Sequence, residues 1–177
     1  MSELFELTQE ECEALLKAGI AGRVAVLTPD GPHILPVNYS VVDDAIIIRT
    51  SPDSVLGRHG VDTAFAFEVD QYDYPNGRGW SVLARGQSHA VEDADEMRRI
   101  RSTSEPRPWA DGDRSLLIAF VWRELTGRRL GRGWDPLAHM PVRRVTPTST
   151  GPMATGIGTK SSGPVQWGAE ILKLPER

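Results

Sequence analysis

Apolar and polar residues alternate with two different periods along this chain. Over residues 8–18, Cys12, Leu15 and Leu16 recur at helical spacing among polar neighbours. Thr8 is a good N-cap, Glu11 three places on completes a capping box, and Gly19 supplies a stop. The spacing predicts a helix over 8–18 with Cys12 turned to the core. Beyond it the period shortens. Val24 to Leu27 is a short apolar run closed by Thr28-Pro29-Asp30-Gly31-Pro32, a dense turn signal. His33 to Val41 reads as a second strand. Pro36 has no backbone donor, so that strand needs an edge, an end or a bulge there. Asp43-Asp44 predicts a tight hairpin into a third strand, Ala45 to Thr50. A short helix follows over 53–60, then a strand from Thr63 to Val69. The fifth strand, Gly79 to Val91, sets Trp80, Val82 and Ala84 against Ser81, Leu83 and Arg85. Gly86 in its middle signals a bulge or a close backbone approach. A charged helix over 93–103 precedes a sixth strand, Ser115 to Leu125. Short strands at even spacing with few helices predict a mainly β, α+β fold: a small six-stranded antiparallel barrel with peripheral short helices.

The pattern fades after residue 130. The last 51 residues carry 8 Gly and 6 Pro, a fraction typical of irregular chain. The reading is therefore a domain over 1–130 and a Gly/Pro-rich C-terminal extension over 131–177, with Trp134 and Trp167 as anchors. Charge divides at nearly the same place. Residues 1–126 hold 12 basic and 21 acidic side chains, a balance of −9, and residues 127–177 hold 8 and 3, a balance of +5. A basic arm can bind nucleic acid, but no recognised binding motif accompanies this one, so the expectation is against nucleic acid. A chain of 177 residues can bury a sufficient core without staples. Its single cysteine excludes an intrachain disulfide framework and a Cys-rich zinc site. No run of about 18 apolar residues exists, so no membrane span is expected. The acidic start Met1-Ser2-Glu3-Leu4-Phe5-Glu6 is unlike a secretory leader, which predicts a cytoplasmic protein.

No Ser/His/Asp triad can be assigned, and no catalytic residue is named. His33, His59, His89 and His139 show no ligand spacing, so no metal site is expected. Thr155 to Ser161 is not read as a phosphate loop, because Thr159 rather than Gly precedes Lys160. A better candidate is Arg49-Thr50-Ser51. A strand end there delivers a guanidinium and two hydroxyls to one spot, and a helix starting near Ser51 to Ser54 offers backbone N–H groups. Arg58 sits about one turn further on. The planar fork of arginine suits bidentate phosphate binding. The alternative is a surface ion pair at Arg49, with Thr50 and Ser51 as ordinary caps. Trp80 and Trp109 are planar aromatics that suit a flat heteroaromatic ligand, or else pack the core and anchor a loop.

Taken in order, Gly22-Arg23-Val24-Ala25, Gly31 to Tyr39, Ile48-Arg49-Thr50-Ser51, Phe67-Glu68-Val69-Asp70 and Gly79 to Gly86 resemble the pyridoxamine 5′-phosphate oxidase-like proteins. Within them the match is to the actinobacterial branch related to nitroimidazole-resistance proteins. Pro108-Trp109-Ala110 and Leu125 to Leu130 also fit, so the resemblance covers roughly residues 8–130. It implies a flavin-binding split barrel that pairs as a homodimer, with flavin mononucleotide (FMN) in a groove at the dimer interface. Carried over, Arg49, Thr50 and Ser51 would hold the phosphate, with Ser54 and Arg58 beside them. Pro36, Val37 and Asn38 would run along the isoalloxazine ring. Trp80 and Ser81 would contact the flavin from the other subunit, and Trp109 would cover it. Many relatives place a lysine after the Thr-Ser pair. Residues 52–60 hold none here, and Arg58 is their only full-time cation.

The expectation is an FMN-dependent oxidoreductase acting on a small-molecule substrate. It would take reducing equivalents from a nicotinamide or reduced deazaflavin donor. Oxidation of pyridoxamine phosphate itself is not expected, since residues for a substrate phosphate are not evident. The alternatives are a non-enzymatic holder of flavin, deazaflavin or haem, and a cofactor-free split-barrel dimer.

Overall fold

The computed structural model describes residues 3–109 and 111–140. Seven strands and three helices follow one another: β1 (Leu4–Glu6), α1 (Gln9–Ala18), β2 (Ala21–Thr28), β3 (Gly31–Val42), β4 (Ala45–Thr50), α2 (Val55–His59), β5 (Ala64–Asp73), β6 (Arg78–Ala90), α3 (Ala94–Ser104) and β7 (Leu116–Leu130). The sheet order is β1-β7-β4-β3-β2-β5-β6, and β6 also pairs with β7. Six strands therefore form a ring of antiparallel pairs, with β1 added to the outside of β7. The expected strands are all present, most of them longer than their apolar patterns. β7 runs five residues beyond Leu125 because β6 and β1 both continue to pair with it. β1 is the element that the pattern did not reveal. Three residues carry no measurable period, and only the partner Leu130-Arg129-Arg128 makes them a strand.

The ring encloses Val24, Val26, Ile46, Ile48, Phe67, Val82, Ile118 and Phe120, and α1 adds Leu15, Leu16 and Cys12. The capping box of α1 is present in both directions: Thr8 Oγ1 accepts the Glu11 N–H and Glu11 Oε2 accepts the Thr8 N–H. Burial raises the Cys12 thiol pKa, and the Glu11 charge adds to this. A second cluster lies outside the ring, where Ile100 of α3 packs on Ile47, Leu117 and Ala119. It explains why Ile46-Ile47-Ile48 is apolar throughout rather than alternating: β4 is covered on both faces. Tyr39, fully buried, satisfies its hydroxyl by donating to the Leu16 carbonyl at 2.7 Å.

Gly86 marks the bulge that its position predicts. The β6–β7 register shifts between Arg85 and Gly86, and a Cβ at Gly86 would lie 2.0 Å from the Val121 carbonyl oxygen. Residues 131–140 form no helix or strand. Trp134 docks them by donating its indole N–H to the Leu130 carbonyl at 2.8 Å. Trp167 and the basic residues beyond Met140 lie outside the described residues. Among the described residues no helix is long and apolar enough to cross a membrane.

Candidate functional site

Strand β3 pairs with β2 along Gly31–Asn38, but with β4 only along Tyr39–Val42. β4 runs on past this pairing to Arg49 and Thr50, where its partner is β7. The two strands thus part company beyond the Tyr39–Ile48 pair. Pro36 helps to fix the parting. Tyr39 donates its N–H to the Ile20 carbonyl on the β2 side. By alternation the nitrogen of Pro36 faces the other way, where it has no hydrogen to give. The edge that Pro36 demands is therefore real, and a cavity of about 220 Å³ opens beside it.

The cavity has two characters. Leu35, Pro36 and Val37 of β3, Val55 and Leu56 of α2, and Pro108 supply apolar walls. Arg49, Thr50, Ser54, Asn38 and Arg114 supply polar groups. The hydroxyls form a short chain. Thr50 Oγ1 and Ser54 Oγ are 2.9 Å apart, and Ser54 Oγ lies 2.8 Å from the Ser51 carbonyl oxygen. Ser54 also caps α2 by accepting the Gly57 N–H at 2.9 Å, while Ser51 Oγ accepts that of Asp53 at 3.3 Å. Fewer backbone donors are left for a ligand than the spacing predicts. The helix itself has only five residues.

Arg49 is already engaged. Its Nε donates to the Arg114 carbonyl at 2.7 Å, and Nη1 sits 3.3 Å from Glu105 Oε1. Arg49 is thus in a partly exposed ion pair, the alternative that the sequence leaves open, and it also lines the cavity. Residues 105–109 pass over this region as a strap. Ser40 Oγ donates to the Ser104 carbonyl at one end, and the Trp109 N–H donates to Asn38 Oδ1 at the other.

Of the residues that the sequence singled out, the fold brings Pro36, Val37, Asn38, Arg49, Thr50 and Ser54 to one cavity. Ser51 does not line it, and its carbonyl accepts from the Ser54 hydroxyl. Arg58 is exposed on α2 and does not line it. Trp109 is held through its backbone, with its side chain 75% exposed. Trp80 takes the core-packing alternative in this chain. It faces the ring interior at 2% exposure, because inward and outward positions alternate along β6. Its Nε1 finds no hydrogen-bond partner among the described residues. Ser81, one position on, faces the opposite way into a separate cleft of about 480 Å³ with Glu68, Arg85 and Arg128. Arg114 is a polar wall that sequence reasoning missed. Its only signal was a basic residue just before a strand, and the β4–β7 pairing alone brings it to Arg49.

This donor set matches a particular ligand shape. The Arg49 guanidinium with two hydroxyls suits a phosphate, and an adjoining apolar wall suits a flat ring system; Arg114 meets Arg49 through its main-chain carbonyl, while its own guanidinium donates to the Asp111 carbonyl at 3.4 Å.

A family model described as Pyridoxamine 5′-phosphate oxidase matches residues 8–129. An uncharacterized protein of Mycobacterium tuberculosis is 32% identical over 133 residues, covering 72% of this chain and 86% of its own. The structure of an FAD binding protein from Mycobacterium smegmatis superposes with a TM-score of 0.61 at 26% identity, covering 71% of this chain and 97% of that one. A candidate pyridoxamine 5′-phosphate oxidase from Corynebacterium glutamicum gives 0.62 at 30% identity, covering 75% and 96%.

Proposed function

Since the chain belongs to the pyridoxamine 5′-phosphate oxidase family, we propose that it binds a flavin nucleotide in the cavity between β3 and β4 and acts as an oxidoreductase on a small molecule. One observation carries this reading: Arg49, Arg114, Thr50 and Ser54 share a cavity with the apolar strip of Leu35, Pro36 and Val37. Bound there, the isoalloxazine ring would supply hydride or electron transfer, which needs no acid–base triad from the protein. The chain's own residues do the rest. Arg49 holds the phosphate charge, and Thr50 and Ser54 orient its oxygens. Leu35, Val37 and Pro108 keep water from the ring edge, and Asn38 keeps the strap in place over it.

At about 220 Å³ the cavity is smaller than the roughly 300–1,000 Å³ usual for ligand pockets. A second copy of the chain would complete it, so a homodimer is part of the proposal. Ser81 lies on a different cleft, so its contact would come from that second copy. Trp80 supports β6 from the core and is not among the proposed contacts.

FMN is the proposed nucleotide. FAD is the second reading, favoured by the similar protein from Mycobacterium smegmatis, which binds it. Titrating FMN and FAD into the purified chain, followed by flavin fluorescence, tests both. Arg49→Ala is expected to weaken binding by about 1.5–3 kcal/mol, the scale of a hydrogen bond to a charged group. Unchanged affinity would remove Arg49 from the site. Addition of a reduced nicotinamide under anaerobic conditions then separates an oxidoreductase, whose flavin band bleaches, from a holder, whose band stays.

A further inference from the structure

The carboxylate of Glu105 stands 3.3 Å from Nη1 of Arg49, a residue that lines the cavity proposed to take the phosphate. We propose that Glu105 is an internal competitor for Arg49, and that it sets how strongly the site prefers phosphate-bearing ligands; this rests on the flavin reading given above.

The geometry supports competition rather than assistance. Arg49 is already oriented without Glu105, because its Nε donates to the Arg114 carbonyl at the shorter distance of 2.7 Å. The Glu105 contact is the longer one, and both partners are partly exposed, at 40% and 31%. Such a pair is weak and can be exchanged. A phosphate arriving at Arg49 meets the positive charge of Arg49, but also the negative charge of Glu105. It must displace that carboxylate or share the guanidinium with it, and either costs binding energy through like-charge repulsion.

The exchange can occur without the strap opening. The main chain is clamped at Ser104 by Ser40 and at Trp109 by Asn38. Pro106 and Pro108 between the clamps restrict the backbone further. The Glu105 side chain, anchored just after the first clamp, can swing with the main chain held, as can the exposed Arg107 side chain, which is not paired with Arg49. The apolar walls are unchanged by that swing, so a ligand without phosphate gains nothing from it.

Titrations of FMN and riboflavin into the full chain, its Glu105→Gln variant and its Glu105→Ala variant test the idea. Both variants are expected to bind FMN about three- to fivefold more tightly than the parent, with riboflavin unchanged within about twofold. The FMN advantage of the variants is expected to shrink in high salt. FMN affinity that is equal or lower in both variants would overturn the competitor role while leaving the flavin site standing. An equal gain for FMN and riboflavin would overturn it as well, since that pattern reports a loosened cavity rather than a freed charge. Failure of FMN to bind all three proteins would overturn the flavin reading itself, and the competitor with it.

Discussion

The side-chain oxygen of Asn38 accepts the backbone N–H of Trp109 at 2.9 Å, a bond that spans 71 positions of chain. Asn38 lies where β3 leaves β4, and Trp109 closes the strap that begins at Glu105. One bond thus ties a wall of the cavity to the segment above it.

Asn38→Ala is expected to loosen that segment rather than unfold the protein. The bond is solvent-exposed, so its net worth is at most about 0.5–1.5 kcal/mol. Amide exchange at Trp109 should speed up while the urea midpoint moves little. Asn38→Asp, which keeps the acceptor, should restore slow exchange. Unaltered exchange at Trp109 in the alanine variant would show that something else holds the strap.

Gly86→Ala tests the bulge. The added methyl would meet backbone, the Val121 carbonyl oxygen and the Trp122 Cα, and neither can rotate away. Overpacking of this kind costs about 1–3 kcal/mol, and the rigid neighbours place this site near the upper end. Chemical denaturation should show the loss as a lower midpoint. A variant as stable as the parent would mean that the β6–β7 register can slide.

The tip of the β5–β6 hairpin gives a pH prediction. Arg78 hydrogen-bonds the Asp73 carboxylate at 2.8 Å and Asn76 adds further bonds, which lower the Asp73 pKa below the usual 3.8. A carboxylate with a lowered folded pKa stabilises above its unfolded value, and the contribution fades as pH falls through the folded value. Asp73→Asn should therefore be less stable than the parent at pH 7, and the gap should close in stronger acid. Midpoints that stay equally far apart at both extremes would contradict the linkage.

Much of the fold was legible because its signals are local. The Thr8–Glu11 box spans three positions, the alternation at Trp80, Val82 and Ala84 spans two, and Gly86 announced its bulge by its place in an apolar strand. Half of the candidate site was legible for the same reason: Arg49, Thr50 and Ser54 lie within one strand end and the cap that follows. For Trp80 the residues left core packing and a ligand contact both open, because alternation says which face a side chain takes, but not which face is the core. Burial decided that when the ring closed over it.

The amino-acid sequence by itself determined the helices, the ring strands and the amphiphilic character of the β4–α2 junction. Each follows from interactions between residues a few positions apart. Tertiary structure alone decided that Arg114 would stand beside Arg49, that Glu105 would pair with it, and that β3 would split from β4 at Asn38. These contacts join residues 56 to 71 positions apart, or depend on where two strands stop pairing. No local period encodes such distances. They exist because β4 and β7 pair to close the ring, which carries the segment after α3 back across the open edge that Pro36 leaves on β3.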